Sequence, residues 1–168
     1  MHPIIIIYYN LNITMILNII VAFSNIPCIY PILLSLKNRD HITTIAITYV
    51  AAASFLSHLV ENHKHGMPGI GFSKQTSYML NRLDVAGCFI MAFRIGYIYF
   101  SKYGFSFDTI NKNKFTFMLY FLPFILMRIS EYDKYNPNLR SMYIITHSIW
   151  HISIFSTIHH FLKNFIYY

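Results

Sequence analysis

An all-α bundle of membrane-spanning helices is the fold class this sequence predicts, on three observations. Hydrophobic residues make up 55% of the chain and charged residues only 11%, against roughly 25% charged in a soluble domain that must wet its own surface. The mean hydropathy is +0.44. The apolar residues also fall in long runs, as a hydrocarbon layer about 30 Å thick demands of a crossing helix. The 168 residues predict a single domain, 1–168, with no internal repeat and no low-complexity linker. The expected location is an integral, multi-pass one, in an endomembrane or at the cell surface.

Five spans are expected, in what reads as a compact bundle. The first covers Ile13 to Leu36, after an interfacial arm from Met1 to Asn12. It reads as a retained span, because Met1-His2-Pro3 carries no cationic n-region and no small-x-small cleavage site follows the run. Pro27 and Pro31 should bend it, and Lys37-Asn38-Arg39-Asp40 should end it. The second span runs from Ile42 to Val60, followed by a polar loop from Glu61 to Ser77 with Gly66, Pro68, Gly69 and Gly71 as breakers. The third covers Tyr78 to Phe100 and the fourth, short and holding Pro123, Phe115 to Ser130. A loop from Glu131 to Arg140 contains the turn signal Asn136-Pro137, and the fifth span runs from Ser141 to Leu162.

The net charge of +7 does not imply nucleic acid, because the basic residues stand singly between apolar runs rather than in a patch interleaved with aromatics. They read as loop charges flanking spans. Cys28 and Cys88 both lie in apolar runs and read as small packing residues, with no disulfide framework and no CxxC motif. Let the side of the membrane holding the N-terminus be B and the other A. Lys37, Arg39, Lys102, Lys112, Lys114 and Lys163 fall on A; Lys64, Lys74, Arg82, Arg128, Lys134 and Arg140 fall on B; Arg94 lies inside the third span. The positive-inside count ties, with a lean to A as cytoplasmic because Arg82 and Arg128 sit near or within helices.

Polar residues inside the spans carry the chemistry. An Asp, Lys or Arg at mid-helix costs at least ~2.5 kcal/mol and by default marks a functional position. His147 and His151 are four apart, so both rings project from one helix face, and Ser54 and His58 share that spacing on the second span. Asp84 lies near the start of the third span, two residues from Arg82, with which an ion pair is an alternative. Tracing the spans alternately across the bilayer puts Ser54, His58, Asp84, His147 and His151 at one depth, near side B. Paired imidazoles at this spacing can hold a metal ion, a haem or an interhelical hydrogen bond. His63, His65, His159 and His160 read as solvated or interfacial, with His63 or His65 near the mouth of the site.

A Ser-x3-His on the second helix, an Asp near the start of the third and a His-x3-His on the last resemble the CREST superfamily of membrane metal-dependent hydrolases. That superfamily includes the alkaline ceramidases, the progestin and adiponectin receptors and the GPI-remodelling phospholipases. The local texture is closest to its myomaker and transmembrane-protein-8 branch. The family usually has seven spans against the five expected here. The resemblance implies a zinc ion held by His58, His147 and His151, with Asp84 and Ser54 as catalytic residues acting on water and on the developing oxyanion. It implies hydrolysis of an amide or ester bond in a membrane lipid. The alternatives are a non-enzymatic, myomaker-like membrane-remodelling or fusion protein with a structural zinc, and a bis-histidine haem protein.

Overall fold

The computed structural model describes residues 16–61, 73–104 and 107–168, and these contain helices and turns but no strand. The expected N-terminal arm and most of the Glu61–Ser77 loop, with His63 and His65, lie outside the described residues. The first span is two helices, α1 (residues 16–23) and α2 (Ile29–Lys37), joined through a 3-10 turn at Ile26–Cys28. Pro27 opens that turn, having no N–H to give to a helix carbonyl. Beyond α2, Arg39 adopts the left-handed conformation (φ 57°) and the Asp40 N–H reaches back to the Ser35 carbonyl at 3.0 Å. That bond closes the helix end and turns the chain sharply.

Asp40 then caps α3 (His41–Leu59), its carboxylate accepting from the Thr43 N–H at 3.0 Å. The long helix α4 (Lys74–Tyr103) is capped by Ser73 at its start and by Gly104, at φ 63°, at its end. Ser77, Asp84, Met91 and Ile98 are buried at seven-residue intervals along α4, a single stripe turned toward α3. Gly87 lies among them: a Cβ there would stand 3.1 Å from the Val50 Cα, so the missing side chain lets the two backbones approach.

The fourth span differs from expectation in extent. It is made of α6 (Lys114–Leu119) and α7 (Leu122–Tyr135), preceded by the short α5 (Phe107–Lys112). Pro123 sits in the first turn of α7, where its missing N–H costs nothing, so it restarts the helix instead of ending it. The first half of the expected 131–140 loop is therefore helix. Two of its charges are met inside the protein: Asp133 accepts from the Thr146 hydroxyl at 3.0 Å, and Lys134 pairs with Glu61. A 3-10 turn at Pro137–Leu139 leads into α8 (Arg140–Phe161), which passes into a π-helical turn at Leu162–Ile166.

Four helical segments among the described residues are long and apolar enough to cross a membrane: Ile16–Lys37, His41–Leu59, Lys74–Tyr103 and Lys114–Tyr135. The fifth expected span, α8, has 22 residues and so is long enough, but it is not one of these four, and it carries all four described C-terminal histidines. The outer surface is what a bilayer requires: Phe89 is 72% and Phe93 79% exposed. Cys88 is also exposed on this surface, so it does not pack the interior as expected. Helix α3 packs on α4 and α7 on α8, while α2 touches both α3 and α8. A large apolar cluster around Ile47, Met91, Phe155 and Phe161 fills one end, and a smaller one of Val21, Tyr143 and Ile144 lies elsewhere in the interior.

At the A end the half-buried Arg94 finds its partner. Its guanidinium donates to Asp40 at 2.8 Å and to the Thr43 hydroxyl at 2.9 Å, and the Tyr167 hydroxyl donates to the same carboxylate at 3.1 Å. The cluster ties α3, α4 and the C-terminal residues together. Burial alone would raise the Asp40 carboxyl, but the Thr43 bonds, Arg94 and Tyr167 together hold it below its ordinary value. Its stabilisation is therefore whole above the unfolded value near pH 3.9 and is lost as pH falls through the lower folded value. Asp40→Asn should lower the thermal midpoint of the purified protein at pH 7, by the equivalent of about 1.5–3 kcal/mol. The gap from the parent protein should close on acidification below about pH 4, measured by thermal melts across pH.

Candidate metal centre

The polar layer is built by five helices. Helix α3 supplies Ser54 and His58, α4 supplies Asp84, α8 supplies His147 and His151, and α1 and α7 contribute neighbours from either side. One ring nitrogen of each histidine lies within 4.8 Å of the other two, and the three rings are 2, 4 and 1% exposed for His58, His147 and His151. The Nε2 atoms of His58 and His147 are 3.1 Å apart. Ser54 Oγ is 3.2 Å from His151 Nε2, and Asp84 Oδ2 is 3.9 Å from His58 Nε2. All five residues singled out in the sequence thus meet in one place.

The outer ring nitrogens decide where the protons are. His58 Nδ1 faces Glu61 Oε2 at 3.3 Å, His147 Nδ1 faces Ser130 Oγ at 3.1 Å, and His151 Nδ1 faces Ser24 Oγ at 2.7 Å. Neither serine has a proton to spare. Ser130 donates to the Met127 carbonyl at 2.9 Å and Ser24 to the Val21 carbonyl at 2.6 Å. Each hydroxyl has one hydrogen, so toward the imidazoles both serines can only accept. An ionised Glu61 can likewise only accept. With these groups as acceptors, the arrangement assigns the ring protons to the Nδ1 atoms and leaves the Nε2 atoms as candidate ligands.

Two of those nitrogens face each other at 3.1 Å, with the Asp84 carboxylate alongside. Asp84 Oδ1 is buried without a hydrogen-bond partner among the described residues. Burying acceptors against one another costs free energy unless a cation joins them. The His58–His147 separation also suits one: ligand nitrogens on a tetrahedral ion at 2.0–2.1 Å stand about 3.3 Å apart. Three buried histidines here can hold a metal ion.

Five supporting residues were not found by sequence reasoning: Ser24, Glu61, Ser130, Lys134 and Tyr143. Glu61, expected in a loop, is 2% exposed and accepts from Tyr143 OH at 3.2 Å, while the amide of Asn18 holds its main-chain carbonyl at 3.2 Å. Lys134, expected as a loop charge, is 5% exposed, pairs with Glu61 and lies 5.1 Å over the Tyr143 ring. Burial alone would raise the Glu61 carboxyl; Lys134 and then His58 hold it far below the ordinary carboxylate range. The one available signal was position, Glu61 lying three residues after His58 and so on the same side of the helix end. Arg82 does not pair with Asp84: it points outward and donates to Tyr78 OH at 2.6 Å. His160 is exposed and bonded to Tyr120, whereas His159 is half-buried with an unpartnered Nδ1.

The chain is 55% identical over 150 residues to "Uncharacterized protein L282" of Acanthamoeba polyphaga mimivirus, a match that covers 89% of this chain and 99% of the viral protein. It belongs to that protein's family. No family model matches the chain, and no solved structure matches it.

The tethers of the outer nitrogens generate a direct test. Ser24→Ala and Ser130→Ala should each weaken metal binding about 10- to 100-fold, since they free one ring without removing a ligand. His147→Ala should abolish it. Chelator competition on the purified protein reads both, with thermal melting to check that each variant remains folded.

Proposed function

We propose that this protein is a zinc-dependent intramembrane hydrolase of a lipid amide or ester bond, in the manner of the CREST superfamily that its site residues resemble. The observation that carries the proposal is the convergence of three buried imidazoles, one ring nitrogen of each within 4.8 Å of the other two, beside a buried carboxylate whose Oδ1 has no hydrogen-bond partner among the described residues. Three imidazoles and one carboxylate suit zinc, and His58, His147 and His151 would hold it. When bound, zinc supplies Lewis acidity toward a carbonyl oxygen and lowers the pKa of water to about 7.

The remaining chemistry falls to the chain's own groups. Asp84 accepts the proton of a water whose oxygen attacks the carbonyl carbon. The Ser54 hydroxyl donates to the carbonyl oxygen as negative charge develops there. As the carbon–nitrogen or carbon–oxygen bond breaks, the proton held on Asp84 passes to the leaving atom. Glu61, Ser130 and Ser24 keep the three rings aimed inward. Membrane helices surround the site, which favours a substrate that arrives through the bilayer. A bis-histidine haem fits less well, because rings whose Nε2 atoms are 3.1 Å apart cannot bracket a porphyrin plane.

One observation favours a second reading. The histidines are 1–4% exposed and Asp84 is 6% exposed, a degree of closure typical of structural zinc sites, with Asp84 as the fourth ligand. That would suit a membrane-remodelling protein. Lipid mass spectrometry on membranes holding the parent protein or Asp84→Asn separates the two. The hydrolase reading predicts a lipid product that falls at least about 100-fold in the variant, with zinc retained. Equal product profiles would favour the structural site.

A further inference from the structure

A second polar site lies at the opposite end of α8. From His147 to His160 the helix climbs about 20 Å, which takes it from the histidine cluster to the A end of the bundle. There a cavity of about 380 Å³ opens beneath the π-helical turn, lined by Thr109, Asn113, Thr116, His160 and Asn164, with Tyr103 and Phe165 as its floor. A π-helical turn at such a place is itself a frequent mark of a functional position.

The lining offers neutral donors and no carboxylate. Tyr120 OH stands 2.7 Å from His160 Nδ1. When the hydroxyl donates there, the His160 proton is on Nε2, which then serves as a donor. Asn113 and Asn164 each use one amide hydrogen on a carbonyl of the preceding helical turn, leaving a second for a ligand. The threonines add hydroxyls. Three lysines neighbour the lining in sequence: Lys112 and Lys114 flank Asn113, and Lys163 precedes Asn164. All three are exposed, and none is in a salt bridge among the described residues. Asp108 is the adjacent acid and does not line the cavity.

The two membrane faces also differ in charge once the fold is known. Lys134 belongs to a buried ion pair, which leaves six basic residues on side A against five on side B, the bias the positive-inside rule associates with a cytoplasmic face. That face meets the anionic leaflet.

We infer that this cavity binds the phosphomonoester of a phosphoinositide-type membrane lipid headgroup, at a site separate from the histidine cluster. Neutral donors hold the phosphoryl oxygens while the three lysines supply the countercharge. A headgroup fits better than a soluble phosphate compound because the cavity sits where the spans end, with the apolar side chains of Phe115 and Met118 exposed beside it.

The test is native mass spectrometry of the full chain released from nanodiscs of phosphatidylcholine containing either phosphatidylserine or a phosphatidylinositol phosphate. The expected result is retained phosphoinositide, with occupancy reduced about tenfold or more in the Lys112→Gln, Lys114→Gln, Lys163→Gln triple variant. Thr116→Val with Asn164→Leu should remove the preference for the phosphoinositide over phosphatidylserine, because those changes spare the neighbouring lysines. Millimolar inorganic phosphate should compete weakly. Three results would overturn the inference: equal retention of all lipids, loss of both anionic lipids alike in the lysine variant with no effect of the lining variant, or displacement by free phosphate as strong as by lipid. Unchanged metal content in both variants verifies that the distant centre and the fold are intact.

Discussion

Three Nδ1–H donors turned outward, and three Nε2 lone pairs turned inward, constrain this protein more than any other feature. The acceptors around the rings favour these tautomers. The hydroxyl hydrogens of Ser24 and Ser130 are already committed to Val21 and Met127, and Glu61 is held ionised by Lys134. Once the outer nitrogens are assigned as donors, the Nε2 atoms of His58 and His147 face each other as acceptors, while that of His151 lies against the Ser54 hydroxyl. The bundle has to carry that unfavourable contact, and a cation is the simplest way to offset it. The same requirement explains why α8 carries more polar residues than a span needs.

The membrane makes this arrangement costly and therefore informative. An isolated ionisable group in the hydrocarbon layer costs at least ~2.5 kcal/mol, so such groups are expected to find partners. Here they do, on two levels. At the A end Arg94 and Asp40 satisfy each other and clamp α4 to α3. At the depth of the site Lys134 and Glu61 do the same, joining α7 to the end of α3. The smaller apolar cluster packs directly on the site, the Tyr143 ring lying 4.9 Å from that of His147, and the close approach at Gly87 lets α4 bring Asp84 within reach of His58.

Much of this was legible in the sequence. The four-residue spacing of Ser54 and His58, and of His147 and His151, fixed which side chains share a helix face, and alternation of spans fixed their depth. Those two periodic facts suffice to bring five residues together. The supporting residues were not legible, because their roles depend on which helix packs beside which. Ser24 and Ser130 look like any serine until the helix facing them is known. Glu61 and Lys134 each look like a loop charge, and only their meeting across the bundle makes them interior residues. The extension of α7 to Tyr135 was hidden for the same reason: a charged stretch reads as solvated until its partners are found.

The central claim is that three inward imidazole nitrogens form a metal centre. X-ray absorption at the zinc edge, on protein purified without chelator, tests it most directly. The account predicts about one zinc per chain with nitrogen and oxygen ligands only, the nitrogens at about 2.0–2.1 Å, and loss of that signal in His58→Ala. A folded protein that holds no metal after incubation with zinc, or one whose zinc is bound through sulfur, would contradict it.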